Sequence, residues 1–137
     1  MIKNACLAKE IVVSVVNKIG VLADMSEVVA GHGVNIEAVV GYAKGDNTAD
    51  IMLVTSDPGR TAESLEKVGY KAFKENEVII VDLENKPGAL KYITAKLAAE
   101  GIDLVYVYGT ACPAKCPARI VFSTTDNKKA LEIFQKK

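Results

Sequence analysis

The sequence lacks three features that would point to nucleic acid, membranes or secretion. Its 17 basic and 17 acidic side chains leave no net charge at pH 7, so no electrostatic field attracts nucleic acid or an anionic membrane. No window approaches the roughly 18 apolar residues of a membrane-spanning helix. The N-terminal residues also lack the extended apolar region of a secretory signal peptide. We therefore expect a cytoplasmic protein with no nucleic-acid and no membrane partner.

Cysteine and histidine are scarce. The chain has three cysteines and one histidine, and an odd number of cysteines argues against a disulfide framework and suits a reducing compartment. Cys112 and Cys116 have a spacing that zinc sites use, with Cys6 in reserve, but only His32 remains to complete a set of four ligands. We interpret Cys112 and Cys116 as incidental thiols in a proline-bounded loop, and we expect no metal and no cofactor.

One short stretch occurs twice, and the rest of the chain is arranged around its two copies. Asn17–Leu22 (NKIGVL) returns 68 positions later as Asn85–Leu90 (NKPGAL). Each copy follows an apolar, β-branched run, Ile11–Val16 in the first case and Val78–Leu83 in the second, and each leads into a segment with helical spacing of apolar residues. An internal repeat of this kind defines the architectural unit. The unit is a strand, a polar glycine-containing turn and a helix.

The order of elements around each repeat predicts an α+β fold. In the first unit we predict helices from Val21 and from Asp57-Pro58, and strands at Ile11–Val16, Val34–Tyr42, Ala49–Thr55 and Tyr70–Lys74. In the second we predict a helix at Ala89–Glu100, a helix capped by Asp126, and strands at Val78–Leu83, Ile102–Tyr108 and Arg119–Thr124. The prediction is two ferredoxin-like βαββαβ units packed together, at residues 1–75 and 76–137. The second is truncated after its second helix and lacks its last strand.

The missing strand leaves an edge with unpaired N–H and C=O groups, which proteins usually cover. The N-terminal segment Met1–Lys9 precedes the first strand and is about long enough to supply an edge strand at ~3.3 Å per residue. Either this segment or a second chain is expected to fill the edge, and we favour a homodimer. The alternative is that the segment only extends the first strand or stays disordered.

The repeated turn is the main candidate for chemistry. A turn between a strand and a helix exposes backbone N–H groups at the helix N-terminus, where a carboxylate is favoured. Asn17 and Asn85 add side chains that both donate and accept hydrogen bonds, and Gly20 and Gly88 allow close approach of a ligand. The alternative is an ordinary strand-to-helix turn that requires glycine and favours asparagine.

Each repeat resembles the ACT domain, a βαββαβ regulatory module that binds amino acids. The resemblance lies in the order of a strand, the sequence Asn-Lys-Pro-Gly-x-Leu, a helix and a second strand that opens on Gly-Ile-Asp or Gly-Val-Asn. The resemblance extends from about Glu10 to Lys137 as a tandem pair, and is closest to small stand-alone tandem ACT proteins without a catalytic domain. It implies a ligand at the interface of two modules, held by the loop after the first strand and by the start of the second strand. The implied ligand-binding residues are Asn17, Lys18, Ile19, Gly20, Val21, Leu22, Asn35, Asn85, Lys86, Pro87, Gly88, Ala89, Leu90 and Asp103.

Two of these residues depart from the family pattern. Ile19 stands where the pattern has proline, and Asp103 stands where it has asparagine. Because Asp103 would repel a carboxylate and attract an α-amino group, the two units need not bind a ligand equally.

Catalysis finds no support, because the sequence has no nucleophile with an evident base, no dinucleotide-binding glycine pattern and no phosphate loop. We therefore predict a non-enzymatic sensor of two ACT domains that binds a small amino acid and reports it to a partner, with a homodimer as the expected assembly. The alternatives are a structural or protein-interaction module, or a regulatory subunit of an amino-acid biosynthetic enzyme.

Overall fold

A computed structural model of the chain describes residues 1–113 and 115–136. The elements are β1 (Ile2–Val16), α1 (Val21–Gly31), β2 (Ile36–Gly45), β3 (Thr48–Thr55), α2 (Pro58–Lys67), β4 (Phe73–Leu83), α3 (Ala89–Ala99), β5 (Leu104–Thr110), β6 (Ala118–Thr124) and α4 (Asn127–Gln135). This order confirms the predicted α+β fold with two βαββαβ units. Within the described ranges no helix is long and apolar enough to cross a membrane.

The chain divides into two compact units, which we call unit one (Lys9–Asn76) and unit two (Met1–Ala8 together with Glu77–Lys137). The predicted ranges, 1–75 and 76–137, differ from this division mainly in the first eight residues. The division falls within two strands. The first part of β1, up to Ala8, belongs to unit two, and the first part of β4, up to Asn76, belongs to unit one.

Unit one is a four-stranded antiparallel sheet in the order β2-β3-β1-β4 with helices α1 and α2. The register of its central pair runs from Ile11 opposite Leu53 to Val16 opposite Thr48. Alternate residues of β1 point into the core because successive strand side chains face opposite sides. The buried core of this unit contains Ile11, Val13, Val15, Val21, Met25, Val29, Val34, Ala49, Ile51, Leu53 and Leu65.

Unit two repeats the arrangement in the order β1-β4-β6-β5 with helices α3 and α4. Its central pair runs from Ile79 opposite Phe122 to Leu83 opposite Ala118. The rings of Phe122 and Phe134 lie 5.8 Å apart between sheet and helix. The buried core contains Ala5, Ile79, Val81, Leu83, Ala89, Ile93, Leu97, Ile102, Phe122, Ala130, Ile133 and Phe134.

The fourth strand of unit two comes from the N-terminal end of the chain. The backbone N–H of Glu84 donates to the Met1 carbonyl at 2.8 Å, and the Gln135 side-chain amide donates to the Ala5 carbonyl at 3.2 Å. Ala5 is only 7% exposed and belongs to the core of this unit. In the described residues no strand follows α4, as predicted, and residues 2–8 take the vacant position while also extending the first strand. A second chain is not needed to cover this edge.

One predicted strand has different bounds in the structure, and one predicted loop is only partly described. The strand predicted at Tyr70–Lys74 begins only at Phe73 and continues through the charged residues after it into the strand predicted at Val78–Leu83, so the two predictions correspond to one strand, β4. The predicted loop from Cys112 to Pro117 includes Ala114, which lies outside the described residues.

Candidate functional site

The loop of unit one turns from β1 into α1 with a hydrogen-bonded turn. The N–H of Val21 donates to the Lys18 carbonyl at 3.3 Å, and the N–H of Asp24 donates to the Gly20 carbonyl at 2.9 Å. Gly20 has φ 88°, a left-handed conformation that glycine adopts without strain. No atom lies within 4 Å of where a Cβ on Gly20 would be, so the turn is open to solvent on that side.

The loop of unit two has the same geometry. The N–H of Ala89 donates to the Lys86 carbonyl at 3.2 Å, and the N–H of Tyr92 donates to the Gly88 carbonyl at 2.9 Å. Gly88 has φ 87°, and the space around its missing Cβ is likewise open. The repeat in sequence is therefore a repeat in backbone conformation.

The four helices differ in how they begin. Asp57 caps α2 by accepting from the Arg60 N–H at 3.0 Å, and Asp126 caps α4 by accepting from the Lys129 N–H at 3.0 Å. In the part of the chain that the structure describes, no side chain caps α1 or α3, which begin after glycine. The N–H groups of Val21 and Ala89 are used in the turns, so the N–H groups of the next residues in the first turn of α1 and α3 are the ones available to an anionic group.

The two asparagines of the loops make different contacts with the neighbouring hairpin. In unit one the backbone N–H of Asn17 donates to the Asn47 carbonyl at 2.6 Å. In unit two the side-chain Nδ2 of Asn85 donates to the Cys112 carbonyl at 2.7 Å. The Asn17 amide group is therefore not used in this contact, whereas one donor of the Asn85 amide is.

The lysines of the two loops also differ in their surroundings. Lys18 is exposed, whereas the Lys86 ammonium lies 3.1 Å from the Glu84 carboxylate. The N-terminal ammonium of Met1, 2.9 Å away, and then Lys86 lower the pKa of Glu84 to about 2 by hydrogen bonding and charge attraction. Glu84 therefore stays ionised and offsets part of the positive charge of the unit-two loop.

The starts of the second strands are fixed by residues that the sequence did not single out. Asn35 donates its N–H to Ser56 Oγ at 2.9 Å, and the Ser56 N–H returns a bond to the Asn35 carbonyl at 2.9 Å. Asp103 and Thr125 make the same pair of contacts, at 3.1 and 3.0 Å. The signal that could have identified Ser56 and Thr125 is their shared position between the third strand and the aspartate that caps the next helix.

Within one unit, the loop and the start of the second strand lie at opposite ends of the sheet. Val16, next to the loop, is opposite Thr48, whereas Ile36, next to Asn35, is opposite Thr55. At ~3.3 Å per residue, the seven steps along β3 correspond to about 23 Å. In unit two the pairs Leu83 with Ala118 and Leu104 with Thr124 have the same relation. The structure therefore groups the predicted residues into two halves in each unit and does not join the halves.

An open groove of about 450 Å³ lies beside the loop of unit one. The end of β1 with Lys18 and Val21 forms part of its wall, and Val68, Tyr70 and Lys71 form another part. Apolar walls with two lysines suit a small ligand that carries a carboxylate and an apolar side chain.

The interpretation of Cys112 and Cys116 as incidental thiols was wrong. The two residues form a disulfide with their Cα atoms 5.7 Å apart, and Cys6 is a free, exposed cysteine. Their spacing of four residues in a hairpin loop brings the thiols within bonding reach. No group of three or more His, Cys, Asp or Glu side chains that could hold a metal ion occurs among the described residues.

Residues 9–68 match the family model of the ACT domain. This match covers the first repeat and less than half of the chain. No curated protein matches the sequence.

Several solved structures share the fold along nearly the whole chain. Protein BT0572 from Bacteroides thetaiotaomicron is 26% identical, with a TM-score of 0.86, and the match covers 97% of this chain and 90% of that one. The ligand-free regulatory subunit of aspartate kinase from Thermus thermophilus is 11% identical, with a TM-score of 0.67, covering 97% and 95%. A structure of aspartokinase α and β subunits is 16% identical, with a TM-score of 0.66, covering 98% and 93%.

Proposed function

We propose that this chain is a non-catalytic regulatory protein of two ACT-like domains that binds a small amino acid. The observation that carries the proposal is the difference between its helix N-termini. The two that follow the repeated Asn-Lys-x-Gly turn have no side-chain cap within the described residues, while α2 and α4 are capped by aspartate. The match of residues 9–68 to the ACT domain supports the same interpretation for unit one, and the repeat extends it to unit two.

The α-carboxylate of the amino acid binds at the start of α1 or α3, where the unpaired N–H groups and the helix dipole favour negative charge. The side-chain amide of Asn17 or Asn85 adds a directed hydrogen bond. Lys18 is exposed beside the first loop, so unit one is the stronger carboxylate site of the two. In unit two the ion pair of Lys86 with Glu84 weakens this attraction.

The α-amino group is recognised by the start of a second strand, at Asn35 or Asp103. Because these residues lie at the far end of their own unit from the loop, a complete site takes the loop from one copy of the chain and the strand start from another. β2 is an edge strand of unit one. Antiparallel pairing of two β2 strands would place Asn35 of one copy at the end of the other copy's sheet where Asn17 lies. We therefore propose a homodimer formed through this edge, which completes the site of unit one, whereas the loop of unit two binds the carboxylate without a strand start from the other copy.

Binding at a site shared by two copies couples ligand to assembly. A ligand that contacts both copies has a higher affinity for the paired arrangement, so it shifts the population toward it. A partner protein responds to this change by binding one state of assembly more tightly than the other.

The experiment is a thermal-shift panel of the twenty amino acids against the full chain. A ligand that binds only the native state stabilises by RT ln(1 + [L]/Kd), about 2.7 kcal/mol at 100 times Kd. One or two amino acids should raise the melting temperature. Asn17→Ala and Asn85→Ala should each reduce the shift, whereas Asn4→Ala, the same change at an exposed position of β1, should not. No stabilisation by any amino acid would contradict the proposal and favour the protein-interaction alternative.

The dimer is tested by placing a charge at each edge strand. Val39 of β2 and Val107 of β5 are counterparts in the repeat and are 47% and 46% exposed, so a lysine at either position leaves each unit folded. Val39→Lys should shift the mass measured by light scattering toward the monomer, because a charge on an edge strand opposes pairing. Val107→Lys is the matched control. A monomeric wild-type chain, or an equal effect of both variants, would contradict pairing through β2.

A second candidate is a regulatory subunit that acts on a separate biosynthetic enzyme. Its basis is the shared fold with the regulatory subunit of aspartate kinase, which extends over 97% of this chain and 95% of that one. The two candidates differ in the partner and agree on the ligand site. The thermal-shift panel identifies the ligand in both cases.

A further inference from the structure

The hairpin loop between β5 and β6 connects a disulfide to the candidate binding loop of unit two. β5 ends at Thr110 and β6 begins at Ala118. Within this loop Cys112 is covalently joined to Cys116, and its carbonyl accepts the hydrogen bond from Asn85 Nδ2 at 2.7 Å. The loop and the candidate site are therefore linked by a direct contact.

Unit one provides an internal comparison without cysteine. Its hairpin turns tightly through Asp46 and Asn47, both in the left-handed region. The contact to the binding loop there joins backbone atoms, from the Asn17 N–H to the Asn47 carbonyl at 2.6 Å. Unit two has a longer loop, a disulfide and a side-chain donor in the equivalent place. Only unit two can change this contact with the state of its thiols.

We infer that the Cys112–Cys116 disulfide is a redox switch that controls whether the Asn85 amide is held by the hairpin or free to contact a ligand. In the disulfide form, the ring closed between the two cysteines fixes the direction of the Cys112 carbonyl. Pro113 and Pro117 have no N–H and cannot form the backbone bonds that would hold the loop after reduction. Reduction therefore releases the Cys112 carbonyl from Asn85.

The two sulfur atoms are placed to react. Cys116 is exposed and Cys112 is half-buried, so a small thiol or disulfide reaches the pair from solvent. Oxidation requires a low-molecular-weight disulfide such as glutathione disulfide. One cysteine thiolate attacks it and expels one glutathione thiolate; the second cysteine then attacks the mixed disulfide and expels the other. Two protein thiols lose two electrons and two protons, and one glutathione disulfide becomes two glutathione thiols.

The consequence for sensing rests on the proposed function. With the disulfide formed, one of the two donors of the Asn85 amide is used by the hairpin. With the disulfide reduced, both donors and the acceptor are available to an amino acid. Reduction thus raises the affinity of unit two and leaves unit one unchanged.

The test is nuclear magnetic resonance of the full chain carrying Cys6→Ser, which removes the third thiol. Spectra are compared after oxidation by glutathione disulfide and after reduction by dithiothreitol. Reduction should shift the Asn85 side-chain amide and speed its hydrogen exchange about fivefold, the effect of removing one hydrogen bond of ordinary strength. The backbone amide of Asn17 should not respond. The Cys112→Ser/Cys116→Ser variant should give the Asn85 signals of the reduced protein, and glutathione disulfide should not change them.

An Asn85 amide that is the same in both redox states would overturn the inference, as would an equal response of Asn17. The thermal-shift panel, run on oxidised and reduced protein, separates this result from the proposed function. A redox response of Asn85 without stabilisation by any amino acid would support the redox switch and contradict the proposed amino-acid binding. Stabilisation by an amino acid, with an Asn85 amide that does not respond to reduction, would support amino-acid binding and contradict the redox switch.

Discussion

The N-terminal strand of unit two is tested by a charge at Ala5. Ala5 is 7% exposed and belongs to the core of this unit, and its carbonyl accepts a bond from Gln135. Asn4 precedes it on the same strand and is exposed, because successive residues of a strand face opposite sides. Ala5→Asp and Asn4→Asp therefore add the same charge to the same strand in two different environments.

Ala5→Asp should lower the free energy of unfolding by about 3–5 kcal/mol at pH 7, the usual effect of a buried charge without a partner. For a chain of this size that corresponds to a melting temperature lower by roughly 10–15 °C. Asn4→Asp should change stability by no more than about 0.5 kcal/mol, as at other exposed positions. Burial raises the pKa of the introduced carboxyl, so the loss of stability should shrink as the pH falls and the group becomes neutral.

The assay is urea denaturation followed by circular dichroism at pH 7 and at pH 4. An Ala5→Asp variant whose free energy of unfolding falls by less than about 1 kcal/mol at pH 7 would contradict the burial of Ala5 in unit two. Such a result would mean that the first eight residues do not occupy the fourth-strand position of unit two. Equal losses of stability in Ala5→Asp and Asn4→Asp would point to a general effect of charge on the strand.

Three further predictions concern the sheet, the helices and pH. Gly109→Ala should cost about 1–3 kcal/mol by overpacking, because its Cβ would meet backbone of the neighbouring strand at 2.8 Å. Gly41→Ala should cost less, since its Cβ would come close only to the end of the Ile51 side chain, at 2.8 Å, and would lie at an ordinary 3.6 Å from the Asp50 carbonyl oxygen. Urea denaturation compares the two variants, and equal losses of stability would contradict this reason. Asp57→Ala and Asp126→Ala should each lower the free energy of unfolding by about 1 kcal/mol through loss of a helix cap, and unchanged denaturation midpoints would show that neither cap stabilises its helix. The pKa of Glu84 is about 2, below its ordinary value of 4.5, so its contribution to stability is present above pH 4.5 and is lost as the pH falls toward 2; Glu84→Gln should flatten the melting temperature over that interval, and an unaltered profile would contradict the ion pairing.

Local patterns in the sequence were sufficient to predict most of the fold. The glycine turns at Gly20 and Gly88 and the helix caps at Asp57 and Asp126 depend on residues close in sequence, and each lies where it was predicted. The apolar runs also predicted the central strands. Such signals are local because turn and cap preferences act over three or four residues.

Features that depend on distant pairing could not be predicted in the same way. The charged residues between Tyr70 and Val78 resemble a linker, yet β4 continues through them because strand β1 lies beside it. Ala5 is buried only because α4 and β4 of the same unit cover it, and these are more than 70 residues away. The Cys112–Cys116 bond depends on the path of a hairpin loop, which cysteine counting does not reveal.

The residues of the candidate site stay a prediction, and their arrangement could not be predicted from the sequence. The resemblance supplied both loops and both strand starts, and the backbone repeat at Gly20 and Gly88 agrees with the loops. The register places Asn35 far from Asn17 within unit one, a relation that only strand pairing determines. The hydrogen bonds that Ser56 and Thr125 make to Asn35 and Asp103 were not predicted, because a single hydroxyl after a strand is common in any sequence.

The central claim is that the two Asn-Lys-x-Gly loops bind an amino acid. Isothermal titration calorimetry measures it directly, with each amino acid titrated into the wild-type chain and into Asn17→Ala/Asn85→Ala. The wild type should bind one or two amino acids. The double variant, folded by circular dichroism, should bind them more weakly by about 1–3 kcal/mol for each buried hydrogen bond that the asparagine amides no longer make. Unchanged affinity in the folded double variant would contradict the claim, and so would the absence of binding to the wild type.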